Sequence, residues 1–269
     1  MSHPHLRRWR VFASALLLAA CGPPGPGDVA RDGVESREEP FPSQVSAVLT
    51  AARAAMGLDQ TIPGVVADAA VESPGRAFRT LIYSTAGGAV RMEQTTPFLA
   101  VVDANDSWTL QGDSVVSPLD DATRAYVRGH ELHALALMPE TRLSEPAYLG
   151  AVQFEGADAL AIRWTVPGAG PPGGRTPEAQ MPDVGSPERH TLVTFYAASD
   201  TLPLGIRAEW VEPHVDAHFV DWSPLVTGPQ PEVRLFRRAR FRQADEVFVY
   251  TFERVELVEV SDSLLRPPR

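Results

Sequence analysis

The sequence predicts an α+β domain, mainly antiparallel β, in which two helices cover one face of a curved sheet. Three observations carry that expectation. From residue 65 onward, apolar residues alternate with polar ones in short runs, the period of a strand with one buried face. Those runs are separated by tight punctuation: Pro74-Gly75, Gly87-Gly88, Thr96-Pro97, Asn105-Asp106 and Glu155-Gly156. Turns so short can join only antiparallel neighbours, because a parallel connection takes about a dozen residues or more. Finally, the alternation gives way to helical spacing in two places, once before the first strand and once in the middle of the chain.

The first helix follows Pro42, with Ser43 placed to cap it. Val45, Val48, Leu49, Ala52 and Met56 fill one face, and Gly57 supplies the stop. Strands are expected at 65–72, 78–84, 90–95, 98–103 and 107–110. A second helix at 119–137 begins after Pro118, with Asp120 and Asp121 in the first turn where the helix dipole favours them. Its buried side would be Ala125, Leu132, Leu135 and Ala136. Strands then resume at 148–154 and 159–166. A Gly/Pro-rich insertion at 167–189 reads as a flexible loop. The last strands fall at 190–197, 205–211, 214–222, 233–242 and 246–258.

The N-terminus is built differently. Arg7, Arg8 and Arg10 precede the apolar run 11–20, and Leu18-Ala19-Ala20 leads directly into Cys21, the only cysteine. This is the layout of a bacterial lipoprotein signal peptide over 1–20, cleaved so that Cys21 becomes the lipidated first residue. The apolar run is too short for a transmembrane helix, which needs about 20 residues. Attachment would instead rest on lipid, each buried methylene contributing about 0.8 kcal/mol. Residues 21–42 then hold the lipidated cysteine and a tether rich in Gly, Pro and acids, with a coil reach of roughly 25 Å. A single domain would occupy 43–262, with 263–269 as a tail.

Charge narrows the partners. All 24 basic residues are arginine, and removal of 1–20 leaves 21 of them against 34 acids, a balance of −13. A body so acidic does not suit nucleic acid, whose phosphates require a basic face. With Cys21 lipidated, no intrachain disulfide can form, so the fold rests on its core alone.

The lipoprotein signal and the order helix, strands, helix, strands together resemble the outer-membrane lipoprotein carrier and receptor superfamily (LolA/LolB-like). The residues that carry the likeness are the helix at 45–56 and a Trp after a turn in Asn105-Asp106-Ser107-Trp108. The strand at 159–164 and the pair 191–196 and 204–207 add to it. The resemblance implies an unclosed (half) β-barrel of about 10–11 strands with two covering helices. It also implies that an apolar ligand, a lipid or a lipoprotein acyl chain, sits on the concave face. Met56, Phe78, Ile82, Met92, Leu99, Val101 and Leu135 would then line an apolar interior, either as ligand cavity or as filled core. The expected protein is non-catalytic, monomeric, without cofactor, and held by lipid at the outer membrane facing the periplasm. An envelope protein–protein scaffold with a filled core is the alternative.

Other motifs point elsewhere. His214, Asp216 and His218 alternate and share a strand face, a donor set for zinc or iron. On a straight strand, however, His214 and His218 lie about 13 Å apart, too far for one ion. A metal-dependent enzyme built on these three is therefore the less favoured reading. His130-Glu131-Leu132-His133 is one residue short of the zinc-protease spacing and reads as solvated helix surface. Gly168, Gly170 and Gly173 spell a dinucleotide fingerprint only as text, since Pro171, Pro172 and Pro177 forbid the helix it needs. Arg234, Arg237, Arg238, Arg240 and Arg242 crowd one strand. If Arg242 pairs with Glu246, Arg240 faces Phe248 and Arg238 faces Tyr250, giving cation–π contacts of about 0.5–1 kcal/mol. The strand is then either a basic patch for anionic partners or an exposed face balanced by Glu253, Glu256 and Glu259.

Overall fold

Alternation becomes, in the computed structural model, one antiparallel sheet of thirteen strands whose two edges do not meet. The structure describes residues 42–58, 61–96, 98–103, 107–167, 190–210, 214–225 and 232–268. The lipoprotein signal, Cys21, the tether up to 41 and the insertion from 168 to 189 lie outside them, as do Gly168, Gly170 and Gly173. Helix α1 (Ser43–Ala55) precedes β1 (Gly64–Ser73), β2 (Arg76–Thr85), β3 (Val90–Gln94), β4 (Phe98–Val102), β5 (Trp108–Gln111) and β6 (Ser114–Val116). Helices α2 (Asp121–Gly129) and α3 (Leu132–Leu137) follow. The chain then forms β7 (Ser144–Phe154), β8 (Ala157–Thr165), β9 (Thr191–Ala197), β10 (Pro203–Ala208), β11 (Val215–Pro224), β12 (Arg234–Gln243) and β13 (Glu246–Leu257). The order across the sheet is β6-β5-β4-β3-β2-β1-β13-β12-β11-β10-β9-β8-β7.

This order has a simple logic. Each half of the sheet is a meander of hairpins, and β1 and β13 join the halves at the centre. The chain therefore leaves one edge at β6 and re-enters at the other edge, β7. Helices α2 and α3 make that crossing, α2 against β3 and β4 and α3 against β1. The open half-barrel with covering helices is as the resemblance implies, but the count is thirteen strands rather than 10–11. Against the twelve runs placed along the sequence, the added strand is the short β6, which pairs with β5 across Gly112-Asp113. Among the described residues, no helix is long and apolar enough to cross a membrane.

The expected helix at 119–137 is two helices. Asp120 is the N-cap of α2, its Oδ1 accepting the Thr123 N–H at 2.6 Å. The chain breaks at Gly129-His130-Glu131, where glycine costs about 1 kcal/mol in a helix and the Leu132 N–H turns back to the His130 carbonyl at 2.8 Å. Every residue of α3 is buried. Its sequence, Leu-His-Ala-Leu-Ala-Leu, carries no polar face, and such a helix belongs inside. At α1 the N-cap is Pro42 rather than Ser43, and its carbonyl accepts from Val45 and Ser46.

Apolar side chains of α1, α3 and the inward faces of β1 and β8 to β13 form the main core. Ile82, Val90, Met92, Ala100 and Val102 form a second cluster with Leu119 and Val127 of the α2 segment. On the other face, the 3₁₀ turn Asp262–Leu265 is tied to the sheet. The Leu265 carbonyl accepts from Trp108 Nε1 at 3.0 Å, and the Leu264 carbonyl from Arg91 at 2.6 Å. Leu264 and Leu265, within the segment 263–269, are thereby held to the sheet.

One close approach fixes the curvature near β10. A Cβ at Gly205 would lie 2.1 Å from the Ala217 carbonyl oxygen and 2.8 Å from the Phe154 ring. Gly205→Ala is therefore expected to cost about 1–3 kcal/mol by overpacking. A thermal melt should show the midpoint fall, by about 2–4 °C per kcal/mol in a domain this size. An unchanged midpoint would mean that β10 and β11 can separate freely.

Candidate functional site: an apolar cavity between sheet and helix

Four adjacent strands each contribute an alternating inward pair to one place. These are Ile206 and Ala208 of β10, Val215 and Ala217 of β11, Phe241 and Gln243 of β12, and Phe248 and Tyr250 of β13. The large rings of β12 and β13 face small side chains at Ala208 and Ala217, so the strands do not fill the space between them. Phe78 of β2 and the loop residues His190 and Trp210 close the sides. Tyr126, Gly129 and His130, at the end of α2, form the roof. What remains is a cavity of about 480 Å³, within the range of about 300–1,000 Å³ usual for small-molecule sites. Among the described residues no Asp, Glu or Arg lines it.

The roof is held by ring contacts. Tyr126 meets Phe98 edge-on at 5.6 Å, and its hydroxyl accepts from Gln94 Nε2 at 3.1 Å. His130 lies 4.2 Å from Tyr126 and stacks on Phe241 at 5.2 Å, with 12° between the planes. Its Nδ1 lies 2.7 Å from the Tyr126 carbonyl oxygen. A carbonyl only accepts, so Nδ1 carries the proton and Nε2 the lone pair. Burial pushes the imidazole pKa down to about 4, partly opposed by that hydrogen bond. Burial also raises the pKa of Tyr126 and of Tyr250.

Reading His130 and His133 as solvated surface is corrected here. His133 is 2% exposed, stacks on Phe236 at 4.0 Å and meets Phe252 edge-on at 4.4 Å. Its Nε2 lies 3.0 Å from the Phe236 carbonyl oxygen, and burial pushes its pKa down to about 3. Glu131 between them is fully buried in an ion pair network rather than solvated. Arg128 reaches its Oε1 at 2.5 Å, while Arg142 Nε and Ser84 Oγ reach Oε2 at 3.2 and 2.9 Å.

Of the seven residues expected to line an apolar interior, Phe78 lies at the cavity. Met56 and Leu135 are in the main core, and Ile82 and Met92 are in the cluster beneath α2. Leu99 and Val101 alternate with Ala100 and Val102, so they lie on the opposite face of the sheet. Sequence reasoning missed Tyr126, His130, Trp210, Phe241 and Tyr250. The usable signal was the inward alternation Phe248, Tyr250, Phe252 against Phe241, and the register of the last hairpin obscured it. Gln243, not Arg242, pairs with Glu246, across a two-residue Ala244-Asp245 turn with Ala244 at φ 50°. A slip of one residue moves every side chain to the other face. Arg240 is therefore opposite Val249 and Arg238 opposite Thr251, and the expected cation–π pairs with Phe248 and Tyr250 do not form. Arg238 instead pairs with Asp221 at 3.4 Å and Arg242 with Glu155 at 2.5 Å.

The metal candidates are not brought together either. Asp216 holds Arg207 in a bidentate pair at 2.7 and 2.9 Å. His218 is half-buried, edge-on to Phe154 at 6.0 Å, and His214 is exposed. Among the described residues, no group of three His, Cys, Asp or Glu side chains has the geometry to hold a metal ion.

No protein-family model matches the chain, and no curated protein matches it. Among solved structures it is similar to a LolA superfamily protein from Nitrosomonas europaea, at 12% identity and a TM-score of 0.49 over 82% of this chain and 97% of that one. It is also similar to an outer membrane lipoprotein-sorting protein domain from Vibrio parahaemolyticus, at 8% identity and 0.47 over 81% and 95%. The Mycobacterium tuberculosis lipoprotein LppX matches at 12% identity and 0.25 over 79% and 99%. The first is of the superfamily that the order of elements in the sequence resembles.

Proposed function

We propose that this chain is a lipid-anchored envelope protein that binds one apolar ligand, a lipid or a lipoprotein acyl chain, beneath the end of α2. The observation that carries this reading is the cavity of about 480 Å³ with aromatic and aliphatic walls and no charged lining residue among those described. Concave apolar surface left unfilled by side chains suits a ligand, because water there is easily displaced. The role is binding rather than catalysis, carried out by a monomer without cofactor. Cys21 supplies the anchor, with the body at the outer membrane facing the periplasm.

Native mass spectrometry of the protein purified without detergent tests the cavity, and co-purified lipid is the expected result. Ala208→Phe places a ring in the cavity and should weaken uptake of a neutral fluorescent probe at least tenfold, with little change in stability. Uptake unaffected by Ala208→Phe, or no uptake at all, would remove the cavity reading and leave a scaffold. The anchor is tested separately: Cys21→Ser should move the protein from the membrane to the soluble fraction.

A further inference from the structure

The cavity is apolar, yet two neighbouring hydrogen-bonding groups on its wall make no hydrogen bond to any described residue; the side chains of Trp210 and Gln243, also on the wall, make none either. His130 uses Nδ1–H on its own helix, at the Tyr126 carbonyl, so the lone pair of Nε2 is its remaining function. Neither Nε2 nor the hydroxyl of Tyr250 makes a hydrogen bond with any described residue. The two rings are neighbours, with centres 6.1 Å apart, and both line the cavity. One side therefore offers an acceptor, and the other a hydroxyl that donates or accepts.

From this pair we infer that the ligand is an uncharged apolar molecule ending in a hydroxyl group, with its O–H donated to His130 Nε2 and its oxygen accepting from Tyr250. The inference rests on the cavity binding an apolar ligand, and it chooses among such ligands. A plain hydrocarbon terminus strips water from both groups and replaces it with nothing, and an unsatisfied buried polar group is costly. A carboxylate has no proton for Nε2 and must shed its own hydration in a cavity without a cation. An ether can accept from Tyr250 but leaves Nε2 bare. A hydroxyl satisfies both at once. Phe241, stacked on His130, and Tyr126 hold the imidazole in place, so the acceptor is positioned before the ligand arrives.

The test is displacement of bound N-phenyl-1-naphthylamine from the full chain at pH 7 by 1-dodecanol, dodecyl methyl ether and dodecanoate. The alcohol should bind at least tenfold more tightly than the ether, the value of one well-made hydrogen bond in a dry site, and dodecanoate should bind most weakly. His130→Phe keeps a flat ring against Phe241, and Tyr250→Phe keeps the wall. His130→Phe should bring the alcohol-to-ether ratio close to one by weakening the alcohol alone, since the ether makes no bond to Nε2. The retained ether binding shows that the variant is folded. Tyr250→Phe removes the donor that both ligands use and should weaken alcohol and ether alike, leaving the ratio above one. Equal affinity for alcohol and ether in the wild-type protein overturns the hydroxyl inference, as does a ratio that survives His130→Phe or an ether affinity that Tyr250→Phe leaves unchanged. Failure of the naphthylamine and all three ligands to bind overturns the cavity reading itself, and with it the inference.

Discussion

Glu131→Leu is expected to destabilise the protein by about 3–5 kcal/mol, the usual result of removing one partner from a buried ion pair. Glu131 and Arg142 are essentially without solvent contact, and Arg128 is 8% exposed. The carboxylate is the counter-charge shared by both guanidinium groups, and it also accepts from Ser84 on β2. Arg142 further donates to the Thr85 carbonyl and to Thr141 Oγ1. Without Glu131, two cations face each other in a medium that screens them poorly. The destabilisation should appear as a lower midpoint in urea with an unchanged slope. Replacing Arg128 and Arg142 by Met along with Glu131→Leu should recover much of the loss, because it removes the uncompensated charges. A Glu131→Leu protein as stable as wild type would show that water reaches the junction and the charges are not buried.

Acid should weaken the fold through His133, with the slope appearing between pH 6.5 and 3. Its folded pKa, about 3, lies below the ordinary value of 6.5, so the unfolded chain takes up a proton first as pH falls. The stability that neutral His133 provides is present in full above 6.5 and is lost progressively down to the folded value. Between pH 7 and 5 the loss amounts to about 2 kcal/mol. His130 acts in the same direction, in the window from 6.5 to about 4, but its position at the cavity edge makes its share smaller. Urea midpoints at pH 7 and pH 5 measure the difference, and His133→Phe, which keeps the stack on Phe236, should flatten it. An equal acid loss in His133→Phe would place the titrating group elsewhere.

The strands and their turns were legible because alternation and tight punctuation are local signals. So was a sheet covered by helices on one face, since one-sided strands need a cover; that the sheet stays open came only from the resemblance. What escaped depended on contacts distant in sequence. His130, Glu131 and His133 are polar by type, and polarity alone sends a residue to the surface. Only the presence of Arg128, Arg142 and the rings of β12 and β13 makes their burial tolerable. The hairpin register turned on a single residue in the Ala244 turn, and that residue decided whether aromatics or arginines faced inward. The cavity was least legible of all. It is a mismatch of side-chain size between Ala208 and Ala217 on one side and Phe241 and Tyr250 on the other, and apolar periodicity reports which face is buried without reporting how well it is filled.

A sheet that stays open keeps two rows of unpaired backbone groups, and such rows invite other chains to add strands. Here each border carries its own deterrent. β6 is only three residues long, too short for a lasting ladder. β7 is long, but its register slips twice, between Ser144 and Ala147 and again between Tyr148 and Gly150. Pro146 withholds a donor, and Glu145 and Gly150 turn through positive φ. An incoming strand would find no flat, continuous run of donors and acceptors at either rim. The sheet can thus stay open without offering its borders to fibril growth.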